Sequence, residues 1–172
     1  MKINQTIGWV MSAMFLALGL LFPGIFHFFG AASGQAFLPM HIPVFICGLF
    51  CGPIFGSMVG ILTPLLSSFL TGMPVFFPTA IAMTLELATY GAVSGLLVKK
   101  LRLYPALIAA MLCGRVVSGI AHALLLSAAS LPYTLETFIN VSFLIAIPGI
   151  ALQLVIVPLA VSILKKIPVI HR

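Results

Sequence analysis

The sequence predicts an all-α integral membrane protein with six transmembrane helices and both termini in the cytoplasm. Of its residues, 62% are hydrophobic and only 6% are charged, and the mean hydropathy is +1.30. A soluble domain carries about a quarter charged residues, so lipid is the main solvent of this chain. Several apolar runs approach the roughly 20 residues that cross a bilayer, and basic residues flank them. We expect a single transmembrane domain over residues 1–172.

The first predicted helix covers residues 7–29. Lys2 precedes it, so the run could be read as a signal peptide. It is longer than the roughly 7–15 apolar residues of a signal sequence, although the small residues Ala31, Ala32, Ser33 and Gly34 follow it. We therefore interpret it as a retained helix, with cleavage as the alternative.

The second and third predicted helices, 37–52 and 54–71, are short and share a tight turn at Gly52-Pro53. Proline suits the first position of a helix, which places Pro53 at the start of the third. Pro64 lies inside that helix, where it removes a backbone hydrogen bond and predicts a kink.

The last three predicted helices cover residues 78–98, 104–128 and 141–165, each long enough to span the membrane. Basic residues form three clusters: Lys2; Lys99, Lys100 and Arg102; and Lys165, Lys166 and Arg172. With six spans, all three clusters lie on one side, and the opposite loops near 30–36, 72–77 and 129–140 contain no Lys or Arg. The positive-inside rule makes the basic side cytoplasmic. The net charge of +6 thus orients the chain and does not indicate nucleic-acid binding.

Small residues recur at a spacing of four, which allows helices to approach closely in lipid. The set comprises Gly48, Gly52, Gly56 and Gly60, with a further pair at Ala13 and Ala17. Cys47 and Cys51 share this spacing, and we interpret them as packing residues because no His or carboxylate neighbours them at metal-ligand spacing. No metal site or cofactor is predicted.

Two charged residues lie at membrane depth, where ionisable groups are costly and often functional. Glu86 precedes Lys99 by 13 positions on a descending helix, and Arg115 follows Arg102 by 13 positions on the next, ascending one. Both residues therefore lie about 20 Å above the cytoplasmic edge. Since consecutive antiparallel helices are usually neighbours, we predict a Glu86–Arg115 ion pair, acting either as a structural clasp or as part of a binding site.

Other polar residues fall in the same outer half of the bundle and predict a small-molecule pocket there. The candidate binding residues are His41, Glu86, Tyr90, Arg115, His122 and Asn140. Gln153 lies deeper on the last helix and is interpreted as structural.

Several segments resemble the substrate-binding S components of energy-coupling-factor (ECF) transporters. They are Leu38-Pro39-Met40-His41-Ile42-Pro43-Val44, Gly56-x-x-x-Gly60, Thr71-Gly72-Met73-Pro74 and Glu86-Leu87-Ala88-Thr89-Tyr90-Gly91. The resemblance implies a six-helix S-component bundle in a bacterial cell membrane that captures a vitamin. It also implies a transmembrane coupling subunit (T component), which would pack against Ala13 and Ala17, and two ATP-binding cassette ATPases.

The matching segments most resemble S components for hydroxymethylpyrimidine or pyridoxine-like rings. A paired Arg115 favours such a neutral ligand, whereas a free Arg115 would favour the carboxylate of pantothenate, which is the alternative cargo.

Two other classes of membrane protein fit the sequence less well. An intramembrane enzyme is disfavoured because Ser118 and His122 lack a Gly-x-Ser-x-Gly segment and no His-Glu-x-x-His motif occurs. A membrane assembly subunit without transport activity would explain the glycine pattern but not the polar residues in the outer half.

Overall fold

A computed structural model describes residues 4–27 and 36–166. Within these two stretches the chain is all-helical, with seven α-helices, two short π-helical turns and no strand, which confirms the predicted class. The helices are α1 Gln5–His27, α2 His41–Cys51, α3 Pro53–Thr71, α4 Ile81–Leu97, α5 Leu103–Ala128, α6 Leu135–Ile139 and α7 Ile147–Leu164; the turns are Phe76–Ala80 and Asn140–Leu144. Lys2, Arg172 and most of the predicted loop 30–36 lie outside the described residues, so their positions stay predictions.

Within the described residues, five segments are long and apolar enough to cross a membrane. They are Gln5–Ile25, Pro53–Thr71, Phe76–Leu97, Leu103–Ala128 and Ile147–Leu164. The second predicted span, 37–52, differs from the structure, because α2 has only 11 residues and begins at His41. At 1.5 Å per residue, α2 is about 16 Å long, roughly half of the hydrocarbon core. Six full spans and the orientation of the termini therefore stay predictions.

The last predicted helix, 141–165, is interrupted in the structure. Asn140–Leu144 forms a π-helical turn, and α7 begins only at Ile147. Pro148 explains the restart, because proline lacks the N–H that a continuous helix would use and is tolerated in a first helical turn.

The short helix α2 lies at the centre of the bundle. Ten of its eleven residues, His41 to Phe50, are buried, and it packs against α1, α3, α4 and α7. A helix this apolar on every side is stable only when surrounded. Because α2 is enclosed, the side chain of His41 at its start is held inside the protein rather than in lipid.

Glycines let α2, α3 and α4 approach within backbone contact. A Cβ on Gly56 would meet the backbone of Gly48 and Gly91, and one on Gly60 would meet the backbone of Leu87. This confirms the packing interpretation of Gly48, Gly56 and Gly60. Gly52 differs, since a Cβ there would meet nothing, and its positive φ of 105° instead forms the turn between α2 and α3.

Candidate ligand-binding site

The carboxylate of Glu86 is the centre of a buried polar cluster. Arg115 Nη1 lies 3.1 Å from Glu86 Oε1, and the hydroxyl of Tyr90 donates a hydrogen bond of 2.6 Å to the same oxygen. Glu86 and Arg115 are 3% and 7% exposed. The ion pair expected from the depths of the two residues is therefore present.

Helix geometry positions the members of this cluster. Glu86 and Tyr90 are four residues apart on α4, so their side chains lie on one face, and that face meets Arg115 on α5. Gly114 makes room for the ring of Tyr90, because a Cβ at this position would collide with it. The ring of Phe45 on α2 also stacks on Tyr90, with the centroids 4.6 Å apart. Tyr90 is thus clamped between two helices.

His41 brings α2 to the same cluster. Its side chain is 1% exposed, its ring centroid lies 5.4 Å from that of Tyr90, and its Nε2 lies 3.7 Å from Glu86 Oε1. That separation is too long for a hydrogen bond, and neither ring nitrogen has a hydrogen-bond partner among the described residues. His41 therefore supports the cluster by packing and electrostatics.

A cavity of about 260 Å³ lies beside the cluster, between α4, α5 and α7. Its polar lining residues are Tyr90, Arg115 and Gln153. The rest of the lining is apolar and consists of Ile108, Met111, Leu112, Phe143, Ile150 and Leu154. Binding sites for drug-sized molecules are apolar clefts of roughly 300–1,000 Å³ with a few convergent polar groups. This cavity is likewise apolar with a few polar groups, and its smaller volume suits a small ligand.

Gln153 is the lining residue that sequence reasoning missed as a candidate for binding. It is 1% exposed and its Nε2 has no hydrogen-bond partner in the described part of the chain. A sequence signal was available, since Gln153 is an amide in the most apolar of the five candidate spans, which has a mean hydropathy of 2.3. Polar residues at that depth are costly and mark functional positions.

The other two predicted binding residues lie elsewhere. His122 is half-buried on α5, where its Nδ1 lies 3.0 Å from the backbone carbonyl of Ser118 and its ring stacks on Tyr133 at 5.8 Å. Asn140 is exposed at the start of the π-helical turn. Neither lines the cavity, so the structure brings together His41, Glu86, Tyr90 and Arg115 but not the remaining two.

The contact of His122 also bears on catalysis. A serine nucleophile needs a base within hydrogen-bond reach of its hydroxyl. Here the Nδ1 atom of His122 faces the main-chain oxygen of Ser118 rather than its side chain. The pair thus lacks the geometry of an activated serine, and the arrangement of the cluster suits binding.

A family model described as ECF transporter, substrate-specific component, matches residues 9–168. The chain belongs to this family. It is therefore a substrate-specific S component, a multi-pass membrane subunit of a transporter rather than an enzyme. S components of this family work with a coupling subunit and with ATPase subunits. Searches of the curated proteins and of the solved structures found no significant match.

Proposed function

We propose that this S component captures a small, neutral heteroaromatic vitamin precursor, of the hydroxymethylpyrimidine or pyridoxine type, for import through a bacterial cell membrane. The observation that carries the proposal is the cavity of about 260 Å³ with Tyr90 and Arg115 in its lining. Its size favours a single ring with short substituents, and its apolar surfaces suit the faces of such a ring.

The charge balance of the cluster favours a neutral ligand. Arg115 is already paired with Glu86, so a carboxylate ligand would compete with a carboxylate that is held in place. Arg115 still has donors free for a neutral acceptor, since a guanidinium offers five N–H groups. In this proposal Arg115 and Tyr90 contact the ligand, and Glu86 and His41 position them; His122 and Asn140 lie outside the ligand contacts.

The depth of the cavity fits capture from outside. Arg115 is 13 residues from Arg102, and Gln153 is 12 residues from Lys165, so both lie about 18–20 Å from the basic turns. If those turns are cytoplasmic, as the positive-inside rule requires, the cavity lies in the outer half of a hydrocarbon core of about 30 Å. This depth supports a binding site loaded from the external side.

The coupling surface is proposed on α1. Ala13 and Ala17 are both exposed, four residues apart on one helix face. Small residues at this spacing let a second helix approach closely in lipid. We place the T component against this face. The chain has no GxxxxGK[ST] motif, so we assign ATP hydrolysis to two ATP-binding cassette subunits of the complex.

Ligand binding to the purified chain in detergent tests the proposal directly. Calorimetry would compare hydroxymethylpyrimidine, pyridoxine, pantothenate and other B vitamins. We expect tight binding of one ring compound, one ligand per chain, and loss of that binding in Arg115→Met. Leu124→Met, on the exposed face of the same helix, serves as the matched control and should bind normally. Exclusive binding of pantothenate, or no binding by a folded sample, would contradict the proposal.

A further inference from the structure

Gln153 is a buried amide whose N–H donor group is left unpaired by the described residues. Its side chain is 1% exposed in the middle of α7, and no described residue bonds to its Nε2. Buried amides in transmembrane bundles ordinarily bond across to a neighbouring helix, and an unsatisfied one is destabilising. A donor left unpaired in this way is available to a ligand if its residue lines a cavity. Gln153 does so, whereas His41, whose ring nitrogens are also unpaired among the described residues, does not.

The cavity supplies the place for that partner. Gln153 lines it together with Tyr90 and Arg115, and the other lining residues offer only apolar side chains. A ligand in the cavity therefore has both the amide and the guanidinium in its surroundings. The two groups differ in chemistry, because Arg115 is a donor only, whereas a primary amide carries a donor and an acceptor in one plane.

We propose that Gln153 determines specificity by pairing with a ring edge that presents an acceptor nitrogen next to an exocyclic amino group. An amide side chain pairs with such an edge through two parallel hydrogen bonds, as Asn and Gln do with the N7 and N6 edge of adenine. The inference rests on the proposed function and narrows its substrate class to aminopyrimidines.

This edge distinguishes the two proposed types of ring. In hydroxymethylpyrimidine a ring nitrogen adjoins the carbon that bears the amino group, so acceptor and donor lie side by side. In pyridoxine the ring nitrogen is flanked by a methyl-bearing carbon and a C–H, and no donor adjoins it. With pyridoxine bound, the amide of Gln153 would make at most one of its two hydrogen bonds. A polar site rejects a ligand that leaves its buried groups unpaired, and this is the source of its selectivity.

The test measures dissociation constants of the purified full chain for three probes: hydroxymethylpyrimidine, its analogue with hydrogen in place of the amino group, and pyridoxine. We expect the wild type to prefer hydroxymethylpyrimidine over the analogue by about ten- to a hundredfold, the range for one paired hydrogen-bonding edge. Gln153→Met, which keeps the length of the side chain, should reduce that preference to near unity. Val155→Leu, on the exposed face of α7, should keep it.

The possible results separate the inference from the proposed function. Equal wild-type affinity for hydroxymethylpyrimidine and its analogue, or tighter binding of pyridoxine, overturns the role of Gln153 and leaves capture of a ring intact. A folded Gln153→Met variant that keeps the full preference does the same. Failure of the wild type to bind any of the three rings overturns the proposed function and this inference with it. If Gln153→Met does not fold, Gln153→Leu takes its place: it also removes both hydrogen-bonding groups and should lose the preference, and a folded Gln153→Leu that keeps the full preference overturns the role of Gln153.

Discussion

Glu86 on α4 and Arg115 on α5 meet at 3.1 Å inside the bundle, and each lies 13 residues from the basic turn that joins their helices. The pair fixes the register of these two helices. It also cancels the charge that either residue would carry alone into lipid. A buried pair of this kind adds little stability compared with apolar side chains, but removing one member leaves an uncompensated charge. The two residues are thus coupled in folding whatever they do in binding.

That coupling gives the first prediction. Arg115→Met should lower the free energy of unfolding by about 3–5 kcal/mol, the range for an orphaned buried charge. Adding Glu86→Gln should recover most of the loss, because the remaining groups are neutral. Thermal unfolding in detergent measures both variants. If Arg115→Met alone were as stable as the wild type, Glu86 would not be held as a buried charge.

The same double variant separates a clasp from a binding residue. If Arg115 contacts the ligand, the Glu86→Gln, Arg115→Met protein should fold and yet lose affinity for the ring compound. If the pair only joins α4 to α5, the stable double variant should bind as the wild type does. Calorimetry on the double variant, after size-exclusion chromatography has shown that it is folded and monodisperse, distinguishes the two outcomes.

The clamp on Tyr90 gives the next prediction. Alanine at Gly114 would place a Cβ against the Tyr90 ring, and that ring is also held by stacking on Phe45. We expect Gly114→Ala to destabilise the protein by about 1–3 kcal/mol, as overpacking does, and to weaken ligand binding. Gly24→Ala is the control, since a Cβ there meets nothing within 4 Å. Equal melting temperatures for the two variants would argue against the clamp.

The hydroxyl of Tyr90 can be tested apart from its ring. Tyr90→Phe keeps the stacking on Phe45 and removes the 2.6 Å bond to Glu86. A hydrogen bond to a charged group contributes about 1.5–3 kcal/mol, so a loss in that range is expected in unfolding experiments. Tyr104→Phe, at an exposed position on α5, should change stability little. The hydrogen bond would be unimportant if both variants melted together.

The sequence predicted the depth of residues better than their direction. Counting residues from the basic turns placed Glu86 and Arg115 at one level and found their contact. His122 was also predicted to bind the ligand because of its level in the bundle. Its ring instead turns to Tyr133, because the level of a residue does not say which neighbour covers its side chain. Gln153 was missed for the converse reason: its lack of a partner is a property of the packed bundle.

The two departures in the helices have local causes. Pro148 lies in a continuous apolar run, and such runs in membrane proteins often accommodate proline, so the break before α7 was not evident. The shortness of α2 follows from the chain before it, where Leu38 has a positive φ of 50° and its carbonyl accepts from the N–H of His41. Neither the break before α7 nor the late start of α2 produces a recognisable pattern of apolar residues, whereas the long spans do.

The last prediction concerns the exposed face of α1. Leucine at both Ala13 and Ala17 would enlarge a surface that we assign to close approach by the T component. Both positions are exposed and lie away from the cavity, so the double variant should keep the ligand affinity of the isolated chain. It should co-purify poorly with the coupling and ATPase subunits and import little vitamin into cells or vesicles. Ala151→Leu makes the same change at an exposed position on α7 and should leave assembly intact. If the α1 variant assembles and transports normally while Ala151→Leu does not, the coupling surface lies on the α7 side of the bundle instead.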